Sequence, residues 1–139
     1  MANLFNNTAK SEIMKGNINL VNDTIKVAFM DPAYEPDIDA DDFYSDISAE
    51  IASGSTDYTL ASKTVTVDDT NNRAEFDAAD TTQASQTIAG GTDLMIIYKD
   101  TGTPETSNVI AYIDIAEGTL TPIDGTLAIS WNAEGIFAF

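Results

Sequence analysis

Two residue types that enzymes often use for catalysis at neutral pH are missing from this sequence. It has neither histidine nor cysteine among its 139 residues, which removes the commonest general base, the thiolate nucleophile and the preferred zinc ligands. Serine and threonine are abundant, but a hydroxyl nucleophile needs an activating base, and no lysine stands in a Ser-x-x-Lys pattern. No glycine-rich phosphate loop of the G-x-G-x-x-G or G-x-x-x-x-G-K type occurs. The sequence therefore predicts a protein that is not an enzyme and that needs no cofactor.

The densest group of potential metal ligands is an acidic run after residue 36. Its spacing, Asp37-x-Asp39-x-Asp41, resembles the opening of a calcium loop, because calcium prefers several carboxylate oxygens close together. The sixth position is Asp42, where such a loop needs glycine, and the twelfth is Ser48, where a bidentate glutamate belongs. An EF-hand is thus excluded. Asp37, Asp39 and Asp41 remain candidates for another kind of cation site, the alternative being a solvated loop with helix-capping carboxylates.

Paired carboxylates for glycoside hydrolysis are the other candidate chemistry. With 23 acidic residues, some carboxylates will lie in pairs by chance, so such pairs have little diagnostic value. A sugar-binding groove is usually lined with aromatic side chains, and the single tryptophan, Trp131, is predicted to fill the core between the last two strands. A carbohydrate-binding or carbohydrate-degrading β-sandwich is kept as an alternative function.

Charge is the strongest compositional signal. The 23 acidic and 6 basic residues give a formal net charge of −17, and a surface of that sign repels nucleic acid and anionic membranes. We therefore expect neither a nucleic-acid nor a membrane partner. The apolar runs are shorter than a membrane span, and residues 1–7 lack the basic and apolar regions of a secretory signal. Synthesis and folding in the cytosol are the expectation.

The elements that must position these residues are mostly strands. A short helix is predicted from Thr8, as N-cap, to Gly16, as stop, and a helical insert near residues 40–51. Alternating or continuous apolar runs, separated by turn-forming residues, predict the strands. These are Thr24–Met30, Lys63–Val67, Arg73–Phe76, Gln86–Ala89, Asp93–Tyr98, Val109–Ile115, Thr126–Trp131 and Gly135–Phe139.

This pattern predicts one domain over residues 1–139, a mainly β, antiparallel and jelly-roll-like β-sandwich of about eight strands. Residues 1–7 are a candidate N-terminal arm. Within it, Leu4 and Phe5 form an apolar pair in a polar leader and are candidate contacts with a partner, the alternative being that they pack on their own sheet. The last strand would be an exposed edge unless a neighbour or another subunit covers it.

A succession of segments gives the chain a family resemblance. The segments are Ile18–Phe29, Phe43–Glu50, Lys63–Asp68, Arg73–Asp77, Ile97–Gly102, Ile110–Asp114 and Ile129–Ile136. In order and spacing, from near residue 10 to the end, the chain resembles small virion structural proteins of tailed bacteriophages. The loop Gly54–Tyr58 is shorter than expected for that family, and Gln83 replaces a usual aromatic.

The resemblance implies a role and a place. It implies a non-catalytic virion part, for which a capsid decoration (cement) protein on the outer head surface is the favoured role. The implied partners are the major capsid protein and, through self-association, further copies of the chain as a dimer or trimer. Such a protein would be made in the cytoplasm of the host bacterium. A tail, fibre or baseplate module is the alternative assembly role.

Overall fold

Ten short strands and two short helices make up the described chain. The computed structural model describes residues 3–139. The helices are α1 (Asn7–Met14) and α2 (Tyr44–Ile47), and 3₁₀ turns lie at Ser48–Glu50 and Pro104–Thr106. The strands are β1 (Leu4–Phe5), β2 (Ile25–Phe29), β3 (Tyr58–Thr59), β4 (Thr64–Asp68), β5 (Arg73–Asp77), β6 (Thr81–Gln86), β7 (Leu94–Lys99), β8 (Val109–Asp114), β9 (Gly125–Ile129) and β10 (Phe137–Ala138).

All strand pairs are antiparallel, so the predicted fold class is confirmed. A five-stranded central sheet has the order β1-β8-β7-β2-β3, and two smaller sheets have the orders β10-β5-β4 and β6-β9. The three middle strands of the central sheet are almost entirely buried. Their apolar runs are nearly continuous because both faces of this sheet are covered.

The two smaller sheets cover one face and complete a sandwich-like core. Central-sheet residues such as Val27, Phe29 and Ile97 pack there in one apolar cluster with Phe76 of β5 and Ile129 of β9. The opposite face carries a second cluster, and the side chains that close it come partly from the segment after β2. This segment, residues 31–51, will be called the acidic insert. The acidic run is therefore a structural layer of the fold.

The N-terminal helix differs from the prediction at its start. The predicted N-cap Thr8 is wrong: Asn6 caps the helix, and its side chain accepts a hydrogen bond from the Ala9 amide. Asn6 is fully buried, because the preceding strand β1 carries it into the sheet. Gly16 follows the helix with a φ of +80°, as the predicted stop requires.

Three strands were misplaced or missed. The strand predicted at Gln86–Ala89 lies earlier in the chain, at β6. The side chains of β6 are mostly Thr, Gln and Ser, so the strand has no alternating apolar pattern from which it could be predicted. Ser85, with a φ of +54°, accompanies a register shift there. The two-residue strands β1 and β3 are too short to show any periodicity.

Candidate functional site

The acidic insert carries the most concentrated charge in the molecule. Nine of the 23 acidic residues lie between residues 31 and 57, a stretch with no lysine or arginine. They are Asp31, Glu35, Asp37, Asp39, Asp41, Asp42, Asp46, Glu50 and Asp57. Five of these, all within residues 35–50, are exposed to solvent. We call the surface formed by residues 31–57 the acidic face.

Hydrogen bonds within the insert use the carboxylates that were candidates for a cation. Asp37 Oδ1 accepts the Asp39 amide at 3.0 Å, and Asp41 Oδ2 accepts the Asp37 amide at 3.0 Å. Asp39 Oδ1 accepts a bond from Asn7 at the start of α1. In residues 3–139, no group of three acidic side chains is placed to hold a metal ion. The geometry matches the alternative interpretation, a loop shaped by capping carboxylates.

Three tyrosine hydroxyls bond to carboxylates of the acidic face, and the two that meet at Asp57 join the insert to the central sheet. The Tyr34 hydroxyl donates to Asp41 Oδ2 at 2.5 Å, and both Tyr44 and Tyr98 donate to Asp57 Oδ2, at 2.9 and 2.8 Å. Burial raises the pKa of all three tyrosines above the ordinary value, and the facing carboxylates raise it further. The phenols therefore stay protonated as donors at any physiological pH, and the acidic face is held in a defined shape.

The buried side chain of Asn6 joins helix α1 to the acidic insert. Its Nδ2 donates to the Asp41 carbonyl oxygen at 3.1 Å, while its own amide donates to the Ile110 carbonyl oxygen. The Tyr112 hydroxyl approaches the same Asp41 carbonyl at 3.4 Å, and burial raises the pKa of Tyr112 to about 12. Sequence reasoning missed Asn6 and Asp57, because their roles depend on contacts 35 and 41 residues away.

Leu4 and Phe5, the candidate partner contacts, pack on opposite faces of their own sheet. Leu4 contacts the cluster beneath the acidic insert, and Phe5 contacts the sandwich core. The Phe5 ring lies 5.0 Å from that of Phe137 and 4.7 Å from that of Phe139. Part of the candidate arm is thus a strand of the central sheet, while Met1 and Ala2 lie outside the described residues. Contact of this pair with a partner stays a prediction.

A cleft of about 640 Å³ lies on the sandwich side, bordered by the end of β9, β10 and the loop between them. Phe29, Met95 and Ile113 of the central sheet line it, and Glu117 and Glu134 contribute charge. The lining therefore combines an apolar part with a charged one.

Trp131 packs against the edge of the sandwich core and also lines the cleft, so its predicted place in the core is only partly met. The ring is half-buried, and its Nε1 is enclosed and finds no hydrogen-bond acceptor in residues 3–139. The neighbouring guanidinium of Arg73 is held by Asp68, Glu75 and Glu134 at 3.4, 2.7 and 2.8 Å. An apolar lining beside charged side chains is suited to binding a small molecule.

Comparisons of the chain with protein-family models, with curated proteins and with solved structures gave no match. In the part of the chain that the structure describes, no helix is long and apolar enough to cross a membrane.

Proposed function

We propose that the chain is a non-catalytic virion structural protein of a tailed bacteriophage, and that it acts as a capsid decoration protein on the outer surface of the head. The observation that carries this proposal is the acidic face, an extended surface of one charge sign held in a fixed shape. The sequence resemblance to small phage virion proteins supplies the setting. The major capsid protein is the proposed partner.

The charge distribution favours a protein partner over DNA. Between residues 31 and 57 there are nine carboxylates and no basic side chain, so the field of this face repels phosphate and attracts a basic protein surface. The tyrosine contacts to Asp41 and Asp57 hold the face in place before binding, which lowers the entropy lost on association. A position outside the head keeps this surface away from the packaged genome.

The residue types present and the contacts of the polar side chains support a role without catalysis. Histidine and cysteine are absent from the sequence. The Asp37, Asp39 and Asp41 carboxylates accept structural hydrogen bonds, and Arg73 pairs with three carboxylates. These polar groups are therefore used to hold the fold together.

Copy number in the particle tests the proposal. Purified virions of the phage that encodes the chain should contain it in hundreds of copies, measured by quantitative mass spectrometry against the major capsid protein. A few copies at one end would instead identify the alternative tail, fibre or baseplate module. Absence from the particle would contradict both assembly roles.

A matched pair of charge variants tests the acidic face itself. Glu35→Gln with Glu50→Gln removes two exposed charges from the face, whereas Glu117→Gln with Asp124→Asn removes two exposed charges outside it. Rebinding to heads stripped of the protein should weaken several-fold for the first pair and remain unchanged for the second. Equal weakening by both pairs would show that net charge acts without any defined face.

The cleft beside Trp131 favours one second candidate, carbohydrate binding. Its apolar lining and the half-exposed Trp131 ring suit stacking against the apolar face of a sugar ring. A glycan array tests this directly, with Trp131→Ala as the variant that removes the aromatic ring from the cleft. A flat array for the parent protein excludes the candidate.

A further inference from the structure

Strand β4 is an edge strand with an unusually exposed apolar sequence. Its residues Thr64, Val65, Thr66 and Val67 are all exposed, with Val65 at 48% and Val67 at 76%. It pairs with β5 on one side, and its other side pairs with no strand in residues 3–139. An open edge rich in β-branched residues is a template for a further strand.

The register of the hairpin shows which backbone groups are available. Val65 lies opposite Phe76, and Val67 lies opposite Ala74. Ala74 exchanges both of its backbone bonds with Phe139, and the Phe76 carbonyl accepts the Ile136 amide. The backbone groups of Ala74 and Phe76 therefore point away from β4, so those of the two valines must point to the open edge.

The side chains of both valines are on the inner face of the sheet. Directly opposed residues share a face, and Phe76, opposite Val65, is buried in the sandwich core. Val65 also lines a groove of about 380 Å³ between the β10-β5-β4 sheet and the end of α1 with the segment that follows it. The other lining residues are mostly apolar, namely Ile13, Gly16, Ile18, Asn19, Leu20, Val21 and Phe139.

We propose that β4 pairs antiparallel with β4 of a second copy, about a two-fold axis at Thr66. In this register Val65 of each copy lies opposite Val67 of the other, and the valine amides and carbonyls that face the edge bond to one another. Four valines then form one apolar row on the inner face. The two three-stranded sheets become a single six-stranded sheet.

Charge complementarity selects this register. It brings Lys63, the residue before the strand, close to Asp69 of the other copy, the first residue of the hairpin turn, so that opposite charges meet at each end of the valine row. The symmetric register about Val65 would place Lys63 opposite Val67, and the register about Val67 would place Val65 opposite Asp69. Only the register about Thr66 pairs valine with valine and lysine with aspartate.

Salt screening reduces the repulsion between two copies that each carry −17. Residues 63–77, around β4, carry four acidic and two basic residues, and one of the acidic ones, Asp68, is within ion-pair distance of Arg73. At physiological ionic strength, charges farther apart than about 8 Å are largely screened. The pairing requires only this edge of the sheet and its flanking charges, and it does not depend on a place in a virion.

Charge reversal tests the pairing without altering the core. The parent protein should sediment as a dimer at micromolar concentration. Lys63→Glu alone and Asp69→Lys alone should each weaken the dimer at least tenfold. An equimolar mixture of the two variants should dimerise again, because each copy then meets an opposite charge at both ends. Failure of the mixture to dimerise would overturn the register.

Amide hydrogen exchange distinguishes pairing at this edge from non-specific association. On raising the protein concentration, the Val65 and Val67 amides should gain protection, while the Thr66 amide, which faces β5, should be protected throughout. Val67→Pro removes an edge amide that β5 does not use and should give a folded monomer, with circular dichroism as the folding control. A parent protein that stays monomeric, or a dimer that tolerates Val67→Pro, would refute the proposal.

Discussion

Replacing Asn6 tests how strongly helix α1 and the acidic insert depend on one buried side chain. Asn6 is fully buried, accepts the Ala9 amide at 3.1 Å and donates to the Asp41 carbonyl at 3.1 Å. Asn6→Ala removes both hydrogen bonds. It leaves the backbone amide of Ala9 in the protein interior without an acceptor. Each bond contributes about 0.5–1.5 kcal/mol, and a lost N-cap typically costs about 1 kcal/mol. The expected loss in the free energy of unfolding is about 2–3 kcal/mol.

The neighbouring Asn7 provides the matched control. It also links α1 to the insert, through Asp39, but it is exposed. Asn7→Ala should therefore cost less than about 0.5 kcal/mol. Asn6→Ser restores a capping oxygen while losing the reach to Asp41, so it should recover about 1 kcal/mol.

Urea unfolding followed by the fluorescence of Trp131 measures these differences. With a slope of roughly 1–3 kcal/mol per molar urea, Asn6→Ala should lower the midpoint by about 1 M, with the slope unchanged. If Asn6→Ala and Asn7→Ala lower stability equally, the insert is not held through the buried asparagine and the reasoning fails.

Three further outcomes follow from the geometry. Gly54→Ala should destabilise the protein by more than about 2 kcal/mol, because Gly54 has a φ of +84° and a Cβ would overlap the Thr87 carbonyl oxygen. Gly102→Ala should cost only about 1 kcal/mol, because Gly102 has a φ of +82° but lies in open space. Thermal unfolding of the two variants compares these costs. Tyr98→Phe should cost about 1–2 kcal/mol, because it removes a hydrogen bond to a half-buried carboxylate; chemical denaturation measures this, and a neutral result would contradict the role of that bond in fixing the insert. The pKa of Asp100 lies below its ordinary value of 3.8 because Lys26 bonds to it. This stabilisation is complete above that value and is lost as the pH falls through the lower folded value, so Asp100→Asn should show a shallower acid unfolding curve than the parent.

The strands of the central sheet could be predicted from the sequence, because a run of apolar residues marks a buried strand whichever strands lie beside it. The apolar runs at β7 and β8 predicted strands, and the structure places both strands, almost entirely buried, in the middle of the central sheet. The strands β4 and β5 were also predicted, and the turn between them contains Asn72 with a positive φ. Polar β6 was misplaced because an apolar period marks a strand only where one face meets a core.

The functional surfaces were less accessible, since they depend on distant contacts. The sequence showed that residues 37–46 are acidic, but not that the insert closes the second face of the central sheet. It assigned Trp131 to the core, whereas the structure places it at the edge of the core, where it also lines a cleft. Neither location could be derived from local spacing, because each arises from how separate sheets meet.

Composition by itself determined the charge of −17 and the absence of histidine and cysteine; local periodicity determined the β class. Tertiary structure alone decided which carboxylates serve as hydrogen-bond acceptors and which remain on a fixed acidic face. It also decided that, within residues 3–139, no strand pairs with the outer edge of β4. The physical reason is that periodicity records whether a side chain faces a core, whereas the contacts of a surface are set by chain segments that are remote in sequence.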